Sequence, residues 1–303
     1  MSYSIGNIST SQFYDRANSA MAGLSTKADA LQTQVATGKR LVAPSSDSVA
    51  YQRLRGLARD AADDVAYTAN LQLASESLRE ADTALGNVGD QLQRAGVLAI
   101  QARNGTQTAS SRAAIAAEID AIIDGLATLA NTKDARGQYI FGSADGGAAA
   151  VKQPDGSYTL STTTIGAIPT GPGGQTVQAG EAAARVFQVG STDAFQVLQA
   201  LSAELKAGGT DSAALGGAID DITAASAQAS TMQASLGARA ARVELEQTRL
   251  VDIGIDREEA RSALEDTDIS AALIELQKTM TILSATQASF SKLQGLSLFS
   301  YLR

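Results

Sequence analysis

The side chains of this sequence best suited to chemistry are neighbouring carboxylates, because the chain has no cysteine and no histidine. Without thiolate and imidazole, it lacks the most frequent nucleophile, general base and metal ligands of proteins. The pairs Asp63–Asp64 and Asp220–Asp221 fall in helical patterns, where adjacent side chains point about 100° apart and do not converge on one substrate atom. We therefore predict that both pairs belong to solvated helix faces.

The acidic run 265–268 resembles a calcium site, and two glycine-rich segments resemble phosphate-binding loops. Glu265-Asp266-Thr267-Asp268 lacks the glycine and terminal glutamate of an EF-hand loop, so helix capping is the better interpretation. The segments 142–147 and 171–174 lack the GK[ST] ending of a phosphate loop and predict turns. We expect no catalytic residue, no cofactor and no metal site, and predict that the protein is not an enzyme.

Composition also argues against several kinds of partner. The net charge of -8 disfavours nucleic acid and anionic membrane surfaces, both of which attract clustered lysine and arginine. No apolar run approaches the roughly 20 residues of a spanning helix, and the first residues lack the pattern of a cleaved secretory signal. We expect partners to be proteins, and the abundance of Ala, Leu, Ser, Thr and Gln to favour long helices.

The two ends of the chain carry matching apolar stripes with steps of three and four residues. Such a stripe lines one side of a helix and requires a partner helix. The first consists of Tyr14, Ala17, Met21, Leu24, Ala28, Leu31 and Val35; the second consists of Ile269, Leu273, Leu276, Met280, Leu283 and Phe290, interrupted at Gln287.

From these stripes we predict that the chain ends pair as an antiparallel coiled coil. Two helices bury only a narrow seam, so one flank should stay uncovered for neighbouring subunits. The predicted assembly interface comprises Tyr14, Met21, Leu24, Leu31, Val35, Ile269, Leu273, Leu276, Met280, Leu283, Phe290, Leu298 and Phe299.

Between the ends, the pattern predicts helices over 8–38, 48–103, 109–135, 193–207 and 211–262, with the last helix beginning after residue 264. Gly38 is a stop signal for the first helix, and Ser45, Ser46 and Asp47 are candidate N-caps for the second. The fold class is therefore mainly α, a long antiparallel bundle formed by both chain ends with a small β-rich central insert.

The insert is predicted from glycine, threonine and proline content over 138–190. Short β-like runs occur at 138–141, 157–163 and 185–189, and Pro154-Asp155-Gly156 predicts a turn. A mobile loop is the alternative. The predicted domains are 1–44 with 266–303, a terminal coiled coil; 45–137 with 191–265, a bundle of long helices; and 138–190, the insert.

Four segments resemble the bacterial flagellin superfamily. Gln34–Arg40 followed by Pro44–Ser48 resembles the end of its first helix, and Ser262–Ser270 resembles its "S.ieD.D.a" segment. Gly137–Ser143 resembles the "G.Y.F.G" segment of the hook–filament junction branch, with Ser143 in place of a frequent glycine. Ser289–Leu302 resembles the tail of that branch rather than that of filament flagellins. The similarity covers about 1–140 and 190–303.

The resemblance implies a secreted structural subunit of the bacterial flagellum at the hook–filament junction. It implies as partners other copies of the chain, an FlgK-type hook-associated protein, flagellin and the export chaperone FlgN, with passage through the flagellar type III export channel. Filament flagellin, a flagellin homologue that binds a polysaccharide, and a soluble coiled-coil scaffold are the alternatives.

Overall fold

The computed structural model describes residues 10–41, 43–45, 47–208 and 212–301, and it describes the side chains of these ranges except at 10–11, 212 and 293–301. The elements, in chain order, are α1 Thr10–Thr37, α2 Ser48–Arg103, α3 Ala109–Ala130, β1 Ala150–Lys152, β2 Tyr158–Leu160, β3 Ile168–Gly171, β4 Gln175–Val177, α4 Ala183–Val186, β5 Gln188–Val189, β6 Thr192–Asp193, α5 Ala194–Lys206, α6 Ser212–Glu265 and α7 Ile269–Tyr301. The mainly helical fold with helices at both ends and a small strand-containing centre is confirmed.

The chain divides into two compact units. One is formed by the two chain ends, up to residue 62 and from residue 254, and the other by 63–253. In the first unit α1 and α7 pack against each other, and α2 and α6 each contribute a segment to both units. The three-part domain division at 44/45, 137/138, 190/191 and 265/266 stays a prediction.

The second unit has a continuous apolar core formed by the long helices. Five leucines of α2, four of them at seven-residue steps, are at most 1% exposed, and the core continues into α3, α5 and α6. A Cβ at Gly96 of α2 would lie 3.6 Å from Ile222 of α6, and one at Gly86 would lie 3.9 Å from Gln233. These pairs show that α2 and α6 run antiparallel. The buried leucines of α2 are Leu71, Leu78, Leu85, Leu92 and Leu98.

The helix α3 ends five residues earlier than the sequence pattern predicts. Asn131 stops it, because its amide donates to the carbonyl of Ala150 and its Oδ1 accepts from the N–H groups of Ala149 and Ala150. One side chain thus satisfies the backbone at the start of β1. The end of this helix thus coincides with contacts to residues 18 and 19 positions further along the chain.

The central segment contains three separate antiparallel hairpins, β1–β2, β3–β4 and β5–β6, rather than one sheet. The turn at Pro154-Asp155-Gly156 is confirmed, with Gly156 at φ +90°. Of the predicted β-like runs, 157–163 contains β2, whereas 138–141 forms only a bridge between Tyr139 and Lys133. The run 185–189 was wrong in its first part, because Ala183–Val186 is helical and directs Phe187 into the core.

A buried ion pair attaches the insert to α6. Arg239 donates to the carbonyls of Gln178 and Gly180, at 3.2 and 3.1 Å, and to the carboxylate of Glu181 at 2.7 Å. The Glu181 side chain is only 3% exposed and also accepts from Arg185. Gly180 is required here, since a Cβ would lie 2.3 Å from the carbonyl oxygen of Ile140. The insert is therefore an integral part of the second unit.

Candidate assembly site

The α1 side of the terminal helix pair is the stripe that the sequence predicts. Its seven members are half-buried, while most residues between them are exposed. A three-and-four spacing keeps these side chains on one line along the helix, and that line faces α7. We call the contact between α1 and α7 the seam. Its α1 members are Tyr14, Ala17, Met21, Leu24, Ala28, Leu31 and Val35.

The α7 side of the seam differs from the predicted stripe. Following the same spacing backwards from Phe290 gives a line of smaller residues, of which Ala272 and Thr279 are buried at 7% and 2% exposed. Two helices that pack directly on each other favour short side chains at their closest approach. The α7 members of the seam are Ala272, Leu276, Thr279, Leu283, Thr286 and Phe290.

Three residues of the predicted α7 stripe therefore do not face α1. Ile269, Leu273 and Met280 are 52%, 44% and 55% exposed, and they lie about 90° around the helix from the seam. We call these three residues the flank. The expectation that the whole second stripe packs against the first was wrong at these three positions. The predicted interface residues Leu298 and Phe299 lie outside the side chains that the structure describes.

Apolar side chains also occur on other sides of α7. Ile274 and Ile282 are 67% and 43% exposed, away from both the seam and the flank. A helix that is apolar on most of its circumference is normally buried on most of it. Within the described residues of the first unit, however, only α1 packs extensively along α7. The apolar surface of α7 therefore exceeds what α1 covers.

Polar and aromatic contacts hold the two helices in register. The Nζ of Lys27 lies 2.6 Å from a carboxylate oxygen of Glu275, and this hydrogen bond lowers the pKa of Glu275. Near the other end of the pair, the rings of Tyr14 and Phe290 meet edge to face with centroids 5.5 Å apart. These pairings confirm that α1 and α7 are antiparallel.

The acidic residues singled out in the sequence have structural roles or face solvent. Asp63, Asp220 and Asp221 are exposed on their helices. The carboxylate of Asp268 accepts from the N–H of Ala271 and caps α7, and Asp47 caps α2 through Val49 and Ala50. In the part of the chain that the structure describes, no group of three or more acidic residues is arranged to hold a metal ion.

A cleft that the sequence did not indicate lies beside α3, α5 and the β1–β2 turn, with a volume of about 620 Å³. Its lysines are paired with its carboxylates: Lys206 with Asp120 at 2.6 Å and Lys152 with Asp124 at 3.2 Å. Burial alone would raise the pKa of Asp120, but hydrogen bonds from Lys206 and Ser202 lower it. The cleft presents internally paired charges rather than a convergent ligand site.

In the described part of the chain, no helix combines enough length and apolar character to cross a membrane. Among the described residues of the first unit, α7 carries exposed apolar side chains on sides that α1 does not cover.

Sequence profiles and relatives agree with this arrangement. The profile of the bacterial flagellin N-terminal helical region matches residues 8–145, and that of the bacterial flagellin C-terminal helical region matches 219–302. Flagellar hook-associated protein 3 of Escherichia coli strain K12 is 27% identical over 292 residues, covering 88% of this chain and 90% of that protein. The Salmonella typhimurium protein of the same name is 23% identical, covering 96% and 98%.

Solved structures show the same fold. FlgL of Xanthomonas campestris matches with a TM-score of 0.60 at 18% identity, over 68% of this chain and 99% of that one. The flagellar junction protein FlgL of Legionella pneumophila matches with a TM-score of 0.56 at 15% identity, over 72% and 100%. The two regions matched by the flagellin profiles contain all of α1 and α7, the helices that form the seam. The chain therefore belongs to the bacterial flagellin family, within which it groups with the hook-associated protein 3 (FlgL) proteins.

Proposed function

We propose that this chain is a structural subunit of the bacterial flagellum that joins the hook-associated ring to the flagellin filament. The observation that carries the proposal is that α7 is apolar on several sides and that α1 covers only one of them. The relatives named above are structural flagellar proteins, one of which is called a junction protein. Both facts support assembly by packing of the terminal helices.

In this proposal the seam and the flank have separate tasks. The seam holds α1 and α7 together through half-buried apolar residues, the Tyr14–Phe290 ring contact and the Lys27–Glu275 ion pair. The flank then packs against a neighbouring subunit. Burying a Leu, Ile or Met side chain contributes about 1.5–3 kcal/mol, so a few half-exposed residues per contact give a substantial association energy when repeated around a ring.

The proposed partners are further copies of this chain, an FlgK-type hook-associated protein on one side and flagellin on the other. The proposed route is the flagellar type III export channel, with a chaperone of the FlgN type covering the terminal helices beforehand. A helix whose apolar surface is only partly covered in the monomer needs such protection before assembly. The proposed location is the hook–filament junction outside the cell.

Deletion of the gene tests the role directly. We expect cells that carry hooks but no filaments, and that release flagellin into the medium, with filaments restored by the wild-type gene. Normal swimming in the deletion strain would overturn the proposal. Gold labelling of the wild-type protein separates the junction role from a filament role: label at one position beyond the hook supports the junction, and label along the filament supports flagellin.

A further inference from the structure

The connector that follows α1 and the connector that precedes α7 pair with each other. Gly38, at φ +70°, ends α1, and the chain that follows runs beside the segment between α6 and α7. The N–H of Arg40 donates to the carbonyl of Glu265 at 2.6 Å, and the N–H of Thr267 donates to the carbonyl of Gly38 at 3.0 Å. These two bonds form an antiparallel bridge between Lys39 and Asp266. The end of α1 and the start of α7 are thus held to each other by backbone hydrogen bonds as well as by the seam.

Side-chain charges reinforce this bridge, and they converge on one carboxylate. One oxygen of Glu265 lies 2.5 Å from the Nζ of Lys39, on the α1 connector. The other accepts from Arg261, one turn earlier on α6, at 2.7 Å. The Glu265 side chain is only 14% exposed, so water competes with these bonds less than at most surface pairs.

The surroundings of Glu265 include further charged groups. The Nη2 of Arg40 donates to the carbonyl of Leu264 at 2.8 Å, which adds a second contact from the α1 connector. Asp266 accepts from the hydroxyl of Ser262 at 2.5 Å, and Glu258 pairs with Arg261 from the solvent side. The hydrogen bond from Lys39, together with that from Arg261, keeps the pKa of Glu265 below its ordinary value despite its partial burial.

We propose that Glu265 is a charge latch that locks the connectors of α1 and α7 to each other and to the end of α6. With the latch closed, the terminal helix pair keeps one orientation relative to the end of α6; with it open, both connectors come free in a single event. The latch sets the orientation of the terminal helix pair, which the proposed function uses for assembly. Only this use of the pair rests on the proposed function.

Amide hydrogen exchange of the full-length monomer tests the latch. In Glu265→Gln, which removes the charge but keeps the size, we expect the amides of Arg40 and Thr267 to exchange about three- to tenfold faster and by the same factor. The seam amides of α1 between 21 and 31 should keep their wild-type rates. High salt applied to the wild-type protein should reproduce the effect on the two connector amides.

Glu258→Gln is the matched control, because it removes the other partner of Arg261 and leaves Lys39 and Glu265 in contact. Unchanged exchange in this control supports the latch. Wild-type rates in Glu265→Gln, or equal acceleration in both variants, would overturn it. Because the exchange measurement uses the monomer, a negative result would overturn the latch without affecting the proposed flagellar role. Normal swimming after gene deletion would instead overturn the flagellar role without affecting the latch.

Discussion

Replacing the flank by serine should abolish docking without unfolding the monomer. In the variant Ile269→Ser/Leu273→Ser/Met280→Ser, the residues changed are 52%, 44% and 55% exposed in the isolated chain. Their exposed parts add up to about one and a half side chains, worth about 2–4.5 kcal/mol if a neighbour buries them at ~1.5–3 kcal/mol per side chain. This energy corresponds to an association constant about 30- to 2,000-fold weaker at each contact.

The assay is complementation of the deletion strain. We expect the variant to be exported at wild-type levels and to leave hooks without filaments, so that soft-agar swimming is lost. Purified variant and wild type should show the same helical content by circular dichroism, because the flank does not contribute to the seam. Restored swimming by an exported variant would refute the reasoning that the flank is the docking surface.

A control on the same helix separates lost apolar surface from lost helix propensity. Lys278 and Thr281 are exposed polar residues of α7 that lie away from both seam and flank. Their double serine variant introduces the same residue on the same helix, and we expect it to swim normally. Loss of swimming in this control would show that the serines act through helix stability instead.

Three other predictions concern the core, the insert and the latch. Leu85→Ala should lower the free energy of unfolding by about 2–5 kcal/mol in urea titration, since Leu85 is 1% exposed. Arg239→Met should destabilise by about 3–5 kcal/mol because Glu181 stays buried with one cation fewer, and the double variant Arg239→Met/Glu181→Gln should recover part of the loss. The pKa of Glu265 is lowered from 4.5 in the folded chain. The stabilisation from its ion pairs should therefore be complete above pH 4.5 and lost as the pH falls through the lowered pKa. In Glu265→Gln, this part of the acid dependence of amide exchange at Arg40 should disappear.

The sequence alone determined most of the helical framework. The stripe on α1 and the leucine lattice on α2 are local patterns with the helical period, and a helix with such a pattern must turn that face to a partner. Helix ends marked by local signals were also predictable, as at Gly38 and Asp47, because the backbone groups they satisfy lie within a few residues.

Only the tertiary structure decided which face of α7 meets α1. The helix is apolar on several sides, so its sequence contains two lines with the same spacing, and the three flank residues belong to the more hydrophobic one. Close approach of α1 selects the line with Ala272 and Thr279, because short side chains let the two backbones come together and leave the larger residues outside. Asn131 and Arg239 act across 18 or more residues of chain, and such contacts leave no periodic trace in the sequence. Local periodicity determines that a helix forms, whereas the fit between two surfaces determines which of its sides is covered.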